Sequence, residues 1–275
     1  MGTDGGAGMS APTFHGKVAI VTGAGSGIGR ALAVSLAARG ARLALSDIDE
    51  TGLAATVAKC GSAEARTYQL NVADRAAVLA HAAEVERDFG AAHFVFNNAG
   101  ATLVGTFEHS SLEEIDWQLG INLWGVIHGS KAFLPLMLRQ REGCIVNISS
   151  IFGLLGYPAQ GAYNISKFGV RGLTECLWSE LKGSGVRAVC VHPGGIRTNI
   201  ERAGRRVKLA DGTEQEFAAK AEKMLVTPPE ECAQDILRGI EAGKQRILTG
   251  YRSRTVYWIS RLFPNSYPSL FKYLN

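Results

Sequence analysis

Tyr163 and Lys167 stand four residues apart in Tyr163-Asn164-Ile165-Ser166-Lys167, and Ser150 lies thirteen residues before the tyrosine. On a helix, residues i and i+4 share a face, so the phenol and the ammonium would stand side by side. A phenol titrates near pH ~10, too high for a base at neutral pH. An ammonium at ~5 Å, in an effective dielectric of ~20, favours the phenolate by roughly 3 kcal/mol, or about two pKa units. The spacing predicts a proton donor and acceptor poised near physiological pH. A solvated helix surface produces the same pair by chance, so the reading depends on what surrounds it.

The scaffold for such a pair is written along the chain. With 275 residues, 46% of them hydrophobic, one large core can be buried in one α/β domain. Apolar runs of strand length fall at 17–22, 42–46, 66–71, 92–97, 143–149, 186–192 and 246–249. Between them lie helix-like segments at 30–39, 51–59, 112–141 (with glycine interruptions) and 163–182, and one running from an Asp74 cap to Phe89. Thr227-Pro228-Pro229-Glu230 predicts a further helix to Ala242, with Thr227 as N-cap and a proline in its first turn. Strands separated by helices imply parallel βαβ units, and apolar runs without alternation imply a sheet covered on both faces. The expectation is a Rossmann-like, doubly wound, seven-stranded parallel sheet in a single domain. Residues 1–13 read as a flexible tail, 14–250 as the domain with a lid at about 195–226, and 251–275 as an extension.

Where the first strand meets the first helix stands Thr22-Gly23-Ala24-Gly25-Ser26-Gly27-Ile28-Gly29. Glycines there permit a tight turn and close approach to a pyrophosphate, while the helix N-terminus offers free N–H groups. The stretch lacks the Gly-Lys-Ser/Thr ending of a triphosphate loop. Asp47 follows the second strand, where a carboxylate accepts bonds from an adenosine ribose and repels a 2′-phosphate. Positions 46 and 48 hold Ser and Ile, and Ser26 is uncharged, so the expected cofactor is NAD rather than NADP.

The net charge of +4 is too mild to argue for nucleic acid, and Arg202, Arg205, Arg206 and Lys208 read as a solvated basic loop. Five scattered cysteines suggest neither a disulfide framework nor a zinc site and fit a reducing, cytoplasmic compartment. No signal peptide or membrane-spanning run is expected. Residues 251–275 hold seven of the chain's 22 aromatics, interleaved with Arg252, Arg254, Arg261 and Lys272. That mixture suits contact with a membrane surface, or packing at a subunit interface or over a pocket.

The ordered set of motifs resembles the short-chain dehydrogenase/reductase family, compact single-domain branch, over residues 17–249: the glycine loop, Asn97-Asn98-Ala99-Gly100, Asn122, Ser150, Tyr163 with Lys167, Pro193-Gly194 and Thr198. The resemblance implies that Tyr163 is the general acid/base and that Ser150, favoured over Ser149 by its spacing, orients the reacting oxygen. It implies that Lys167 tunes the tyrosine and holds the nicotinamide ribose, with Asn122 organising a proton relay. It further implies that Asn71 and Val72 lie beside adenine, that Asn98, Ala99 and Gly100 line the ribose and nicotinamide side, and that Pro193, Gly194, Ile196 and Thr198 flank the nicotinamide and phosphates. Position 71 departs from the family's usual Asp, and Asn keeps a carbonyl acceptor. His192 reads as structural. The apolar run after Ser150 and the end of the lid suggest a lipophilic secondary alcohol or ketone, with Phe152, Leu155, Tyr157 and Met224 contacting it. The resemblance also implies a homodimer or homotetramer. A non-catalytic NAD(H)-binding redox sensor is the alternative function.

Overall fold

The computed structural model describes residues 14–198, 200, 204–208 and 223–270. Most of the expected lid and the N-terminal tail lie outside these residues. Strands β1 (Val18–Thr22), β2 (Arg42–Asp47), β3 (Ala65–Gln69), β4 (Phe94–Asn97), β6 (Gly143–Ile148), β7 (Val186–Gly194) and β9 (Arg246–Gly250) form one seven-stranded sheet. Its order is β3-β2-β1-β4-β6-β7-β9 and every pairing is parallel. The doubly wound α/β sheet is therefore as the sequence predicts, with ends shifted by a residue or two. A two-residue ladder that hydropathy did not reveal pairs β5 (Leu103–Val104) with β8 (Arg205–Arg206).

Burial explains the absence of polar alternation. In β1, Ala19 and Val21 face one core and Val18 and Ile20 face the other, so every position of the strand is buried. The first core is closed by α1 (Gly27–Ala37), α2 (Glu50–Val57) and α7 (Pro229–Glu241), through Leu32, Leu36, Leu53, Ile236 and Ile240. The second is closed by α3 (Arg75–Phe89), α5 (Gly125–Gln140) and α6 (Gly161–Glu180), through Val85, Phe133, Met137 and Leu177. Each large side chain so buried contributes ~1.5–3 kcal/mol before entropy is counted. Asp74 caps α3 by accepting from the Ala77 amide at 3.0 Å, and Gly90 ends it in the left-handed conformation.

Two helix expectations need correction. The segment 112–141 is two helices, α4 (Leu112–Leu119) and α5, joined by a π-helical turn at Gly120–Trp124. Asn122 sits in that turn and exchanges two bonds with Ala101: its amide donates to the carbonyl at 2.9 Å and accepts from the N–H at 2.8 Å. A side chain tied to a neighbouring strand end accounts for the bulge. At α7 the N-cap is Pro228, with Pro229 opening the helix, and not Thr227. Thr227 is held extended by a bridge to Ile196, and its hydroxyl accepts from the Tyr251 amide at 3.0 Å. The hydroxyl is thus engaged with the chain after β9 and not with the first turn of α7.

Beyond β9, α8 (Ser253–Leu262) and α9 (Tyr267–Leu270) lie over the chain that follows Ser150. Val256 packs with Leu154 and Leu155, and the Tyr267 hydroxyl accepts from Gly156 N–H at 3.0 Å. No described helix is long and apolar enough to cross a membrane.

Candidate active site

The strand order reverses between β1 and β4, and parallel sheets bind ligands at the carboxyl ends flanking such a switch. A cavity of about 620 Å³ opens there. One part of its wall is Gly23, Ser26, Gly27, Ile28, Asp47, Asn71 and Val72. Another is Asn98, Ala99, Gly100, Pro193, Gly194, Ile196 and Thr198. Ser150, Phe152, Tyr163, Lys167 and Met224 line the same space. The fold thus gathers residues spread over some two hundred positions of sequence around one cavity.

The glycine turn is held from both sides. The Asn98 amide donates to the Thr22 carbonyl at 2.9 Å, and the Thr22 hydroxyl accepts from the N–H groups of Asn98 and Ala99 at 3.0 and 3.1 Å. Gly23 has φ +66° and lies so close to Ala99 that a Cβ would stand 2.8 Å from its Cα. Gly29, next to the lining residue Ile28, does not itself line the cavity: a Cβ there would meet the Gly23 carbonyl oxygen at 2.1 Å. Gly29 therefore seats α1 against the turn. Replacing it by Ala should lower stability by about 1–3 kcal/mol, despite a helix-propensity gain of about 1 kcal/mol. Thermal unfolding alongside NADH titration checks this, and an unchanged Tm refutes it.

Asp47 does two jobs. One carboxylate oxygen accepts from Gly25 N–H at 2.8 Å and the other from Asp49 N–H at 3.1 Å, while the group still lines the cavity. Arg30, which sequence reasoning passed over, donates to the Gly25 carbonyl and at 2.9 Å to the Thr56 hydroxyl. An open glycine cradle at a helix N-terminus, closed off by a carboxylate, fits a dinucleotide.

Helix α6 begins two residues before Tyr163 and so puts Tyr163 and Lys167 on one face. The Lys167 nitrogen lies 5.5 Å from the phenol ring centre and donates to the Ile148 carbonyl at 3.0 Å. Ser150 hydrogen-bonds the phenol, and its hydroxyl also accepts from Phe152 N–H at 3.1 Å. Ser149 is spent elsewhere, donating to the Lys167 carbonyl at 2.8 Å. Phe152 stands edge-on to the Tyr163 ring at 6.2 Å.

The electrostatics differ from the sequence expectation. Burial pushes the Tyr163 phenol up to about 12, a rise the Ser150 bond offsets only in part. Burial likewise pulls Lys167 down to about 8. Desolvation disfavours both charged forms, and here it outweighs the pairwise attraction on which the expected drop rested. A phenol at this site titrates near neutral pH only when further positive charge arrives.

Several expected contacts fall off the wall. Asn122 stands behind it, near Lys167: a Cβ on Gly100 would lie 3.4 Å from the Asn122 carbonyl oxygen and 3.7 Å from the ammonium. Leu155 is drawn into the cluster with Val256, and Tyr157 stacks on Phe152 at 5.0 Å. Both are turned away because the 3₁₀ turn Ile151–Gly153 directs the following chain under α8. His192 is fully buried, its Nδ1 is 3.0 Å from the Ser150 carbonyl, and burial depresses it to about 4. It braces the serine.

Trp117, Thr102, Gln160 and Arg205 line the cavity without having been foreseen. The basic loop is not simply solvated, as its composition suggests: Arg205 stacks its guanidinium on Trp117 at 4.0 Å. A buried polar layer under the site also escaped notice. Asn97 donates to Asn147 at 2.8 Å and to Ser130 at 3.2 Å, and Asn147 donates to Thr174 at 3.0 Å. Polar residues closing apolar strands 4 and 6 were the available signal.

A family model described as short chain dehydrogenase matches residues 17–208. SadH of Mycobacterium tuberculosis is 44% identical over 264 residues, covering 94% of this chain and 95% of that protein. A short chain dehydrogenase/reductase from Burkholderia phymatum in complex with NAD superposes with a TM-score of 0.80 at 35% identity, covering 86% of this chain and 89% of that one. A metagenomic short-chain oxidoreductase in complex with NADP gives 0.71 at 27% identity, over 86% and 98%. On the family match and on relatives of this similarity, the chain belongs to the short-chain dehydrogenase family.

Proposed function

We propose that this protein is an NAD-dependent oxidoreductase that exchanges a hydride between the nicotinamide and a lipophilic secondary alcohol or ketone. The observation that carries the reading is the convergence of Ser150, Tyr163 and Lys167 on the cavity that Asp47 also lines. Tyr163 takes the alcohol proton in oxidation and returns it to the carbonyl oxygen in reduction. Ser150, already bonded to the phenol, fixes that oxygen beside it. Lys167 would hold the nicotinamide ribose hydroxyls through its ammonium, and Asn122, which is bonded to the Ala101 backbone, would organise the proton relay to Lys167. The nicotinamide supplies or accepts the hydride, and its cationic form contributes the positive charge that brings the phenol toward neutral pH. Ile151, Phe152, Ile200, Met224 and Leu225 supply apolar wall for the substrate. A cytoplasmic homo-oligomer, its dimer or tetramer contacts made through α5 and α6, completes the reading.

The cofactor choice rests on charge. Asp47 lines the cavity, and Ile48 and Ser26 bring no cation to a 2′-phosphate. We expect kcat/KM with NAD to exceed that with NADP by about tenfold or more. Asp47→Asn, which keeps an acceptor for the turn but loses the charge, should narrow that ratio. Initial rates over a panel of lipophilic secondary alcohols with both cofactors test the proposal. A ratio favouring NADP overturns the assignment, and silence across the panel with NADH still binding overturns the substrate class.

A further inference from the structure

The geometry points to Arg205 as the anchor for a carboxylate on the substrate, which makes the ligand an amphipathic hydroxy or keto acid and not a neutral lipid. This rests on the reading above and deepens it. Arg205 is exposed, yet it lines the cavity that holds Ser150 and Tyr163, and so stands at the mouth. It is not a loose surface cation. Its backbone is paired in the β5–β8 ladder, with Arg205 N–H donating to the Thr102 carbonyl at 2.9 Å. Its guanidinium lies over the Trp117 ring at 4.0 Å. Stacking occupies the flat face and leaves the N–H edges free, and a planar fork of donors matches a carboxylate in two parallel bonds.

Nothing among the described residues uses those donors. Arg42, Arg139, Arg171, Arg238 and Arg246 each pair with a carboxylate, whereas Arg205 has no ion pair there. The polar groups nearest in the fold are also committed. The Thr102 hydroxyl donates to the Gln160 carbonyl oxygen at 3.2 Å, and the Gln160 amide donates to the Leu103 carbonyl at 3.4 Å. Because Gln160 caps α6 three residues before Tyr163, the ladder that carries Arg205 is tied to the helix that carries the phenol. A ligand spanning the two would lie along the apolar wall at Phe152 and Met224, with its charge at Arg205 and its reacting carbon at Tyr163.

Decanoate and 1-decanol test this, because they share a chain and differ in the head group. NADH is titrated first and alone, so failure of the cofactor reading registers separately from failure of the anchor. Calorimetric titration of the NADH-loaded protein should then show decanoate binding at least about tenfold tighter than decanol, in line with one charge-assisted bidentate contact. Arg205→Gln should abolish that preference while moving decanol affinity less than about twofold and lowering Tm by no more than a few degrees, since the residue is exposed and loses only its stacking on Trp117. Arg205→Lys should retain part of it, keeping charge but not the fork. Equal affinities for the two probes in the parent protein, or a preference that survives Arg205→Gln, overturns the proposal.

Discussion

Tyr163→Phe removes hydride transfer by about a thousandfold or more while NADH still binds with its affinity changed little. General acid–base groups contribute about 10²–10⁴ in rate, and no other hydroxyl at this site can replace the phenol as both donor and acceptor of the substrate proton. Ser150 is nearest, but its hydroxyl already accepts from Phe152 N–H, and an aliphatic hydroxyl is far too weak an acid. The substitution is gentle structurally. Phe keeps the ring that stands edge-on to Phe152 and only the oxygen is lost. Its removal takes the phenol from the buried Ser150 hydroxyl, which still accepts from Phe152 N–H and lines the cavity. The pH profile gives a second readout. In the free protein the phenol sits at about 12, so phenolate is scarce at neutral pH. With saturating NAD the rate of alcohol oxidation should climb with pH along a limb lying well below 12, and that limb should vanish in the variant. Retention of most turnover, or of the limb, removes Tyr163 from its role.

What the sequence disclosed follows physical lines. The strands were legible because a two-faced sheet buries every position, and runs such as Val18–Thr22 have no other stable home. The site residues were legible because backbone chemistry constrains them locally: a glycine turn before a helix, a carboxylate after β2, and an i,i+4 pair on α6. Features fixed by tertiary contact were not. Asn122 bends its helix through bonds to Ala101, twenty-one residues away, and Thr227 is diverted from capping by Tyr251. Arg205 looked solvated because its partner Trp117 lies 88 residues earlier, joined to it only by the fold. The Tyr163 shift has the opposite sign to the one its spacing predicts, for the same reason. Spacing reports the attraction between two charges, whereas the desolvation that dominates here depends on everything packed around them.

Lys167→Met should make the unliganded protein less dependent on alkaline pH for its stability, even as it destroys activity. Lys167 is 3% exposed, and among the described residues its ammonium has one hydrogen-bond partner, the Ile148 carbonyl. Burial lowers its pKa from 10.5 to about 8, a displacement worth about 3 kcal/mol. The sign follows from where the proton resides. Below pH 8 the lysine is charged in both folded and unfolded chains, and the folded state bears the whole desolvation cost. Between about 8 and 10.5 the folded chain has released the proton and the unfolded chain still holds it, so the cost fades as pH rises. Methionine keeps the unbranched apolar stem without the charge, and leaves the Ile148 carbonyl short of a donor at a cost of about 1–3 kcal/mol at every pH. At pH 7 the two effects nearly cancel, so variant and parent should unfold at similar temperatures. At pH 10 the parent has shed most of its penalty, retaining a little under about 1 kcal/mol of it, and should be the more stable by up to about 2 kcal/mol. Parallel thermal unfolding of the two proteins at pH 7, 8.5 and 10, without cofactor, reads the difference directly and cancels groups common to both. A constant gap across that range would mean that Lys167 titrates as an ordinary lysine and that its burial carries no electrostatic cost. At pH 7, where the lysine is charged, turnover should fall by about two orders of magnitude or more, because the proposed mechanism uses that ammonium to hold the ribose and to raise the local positive charge.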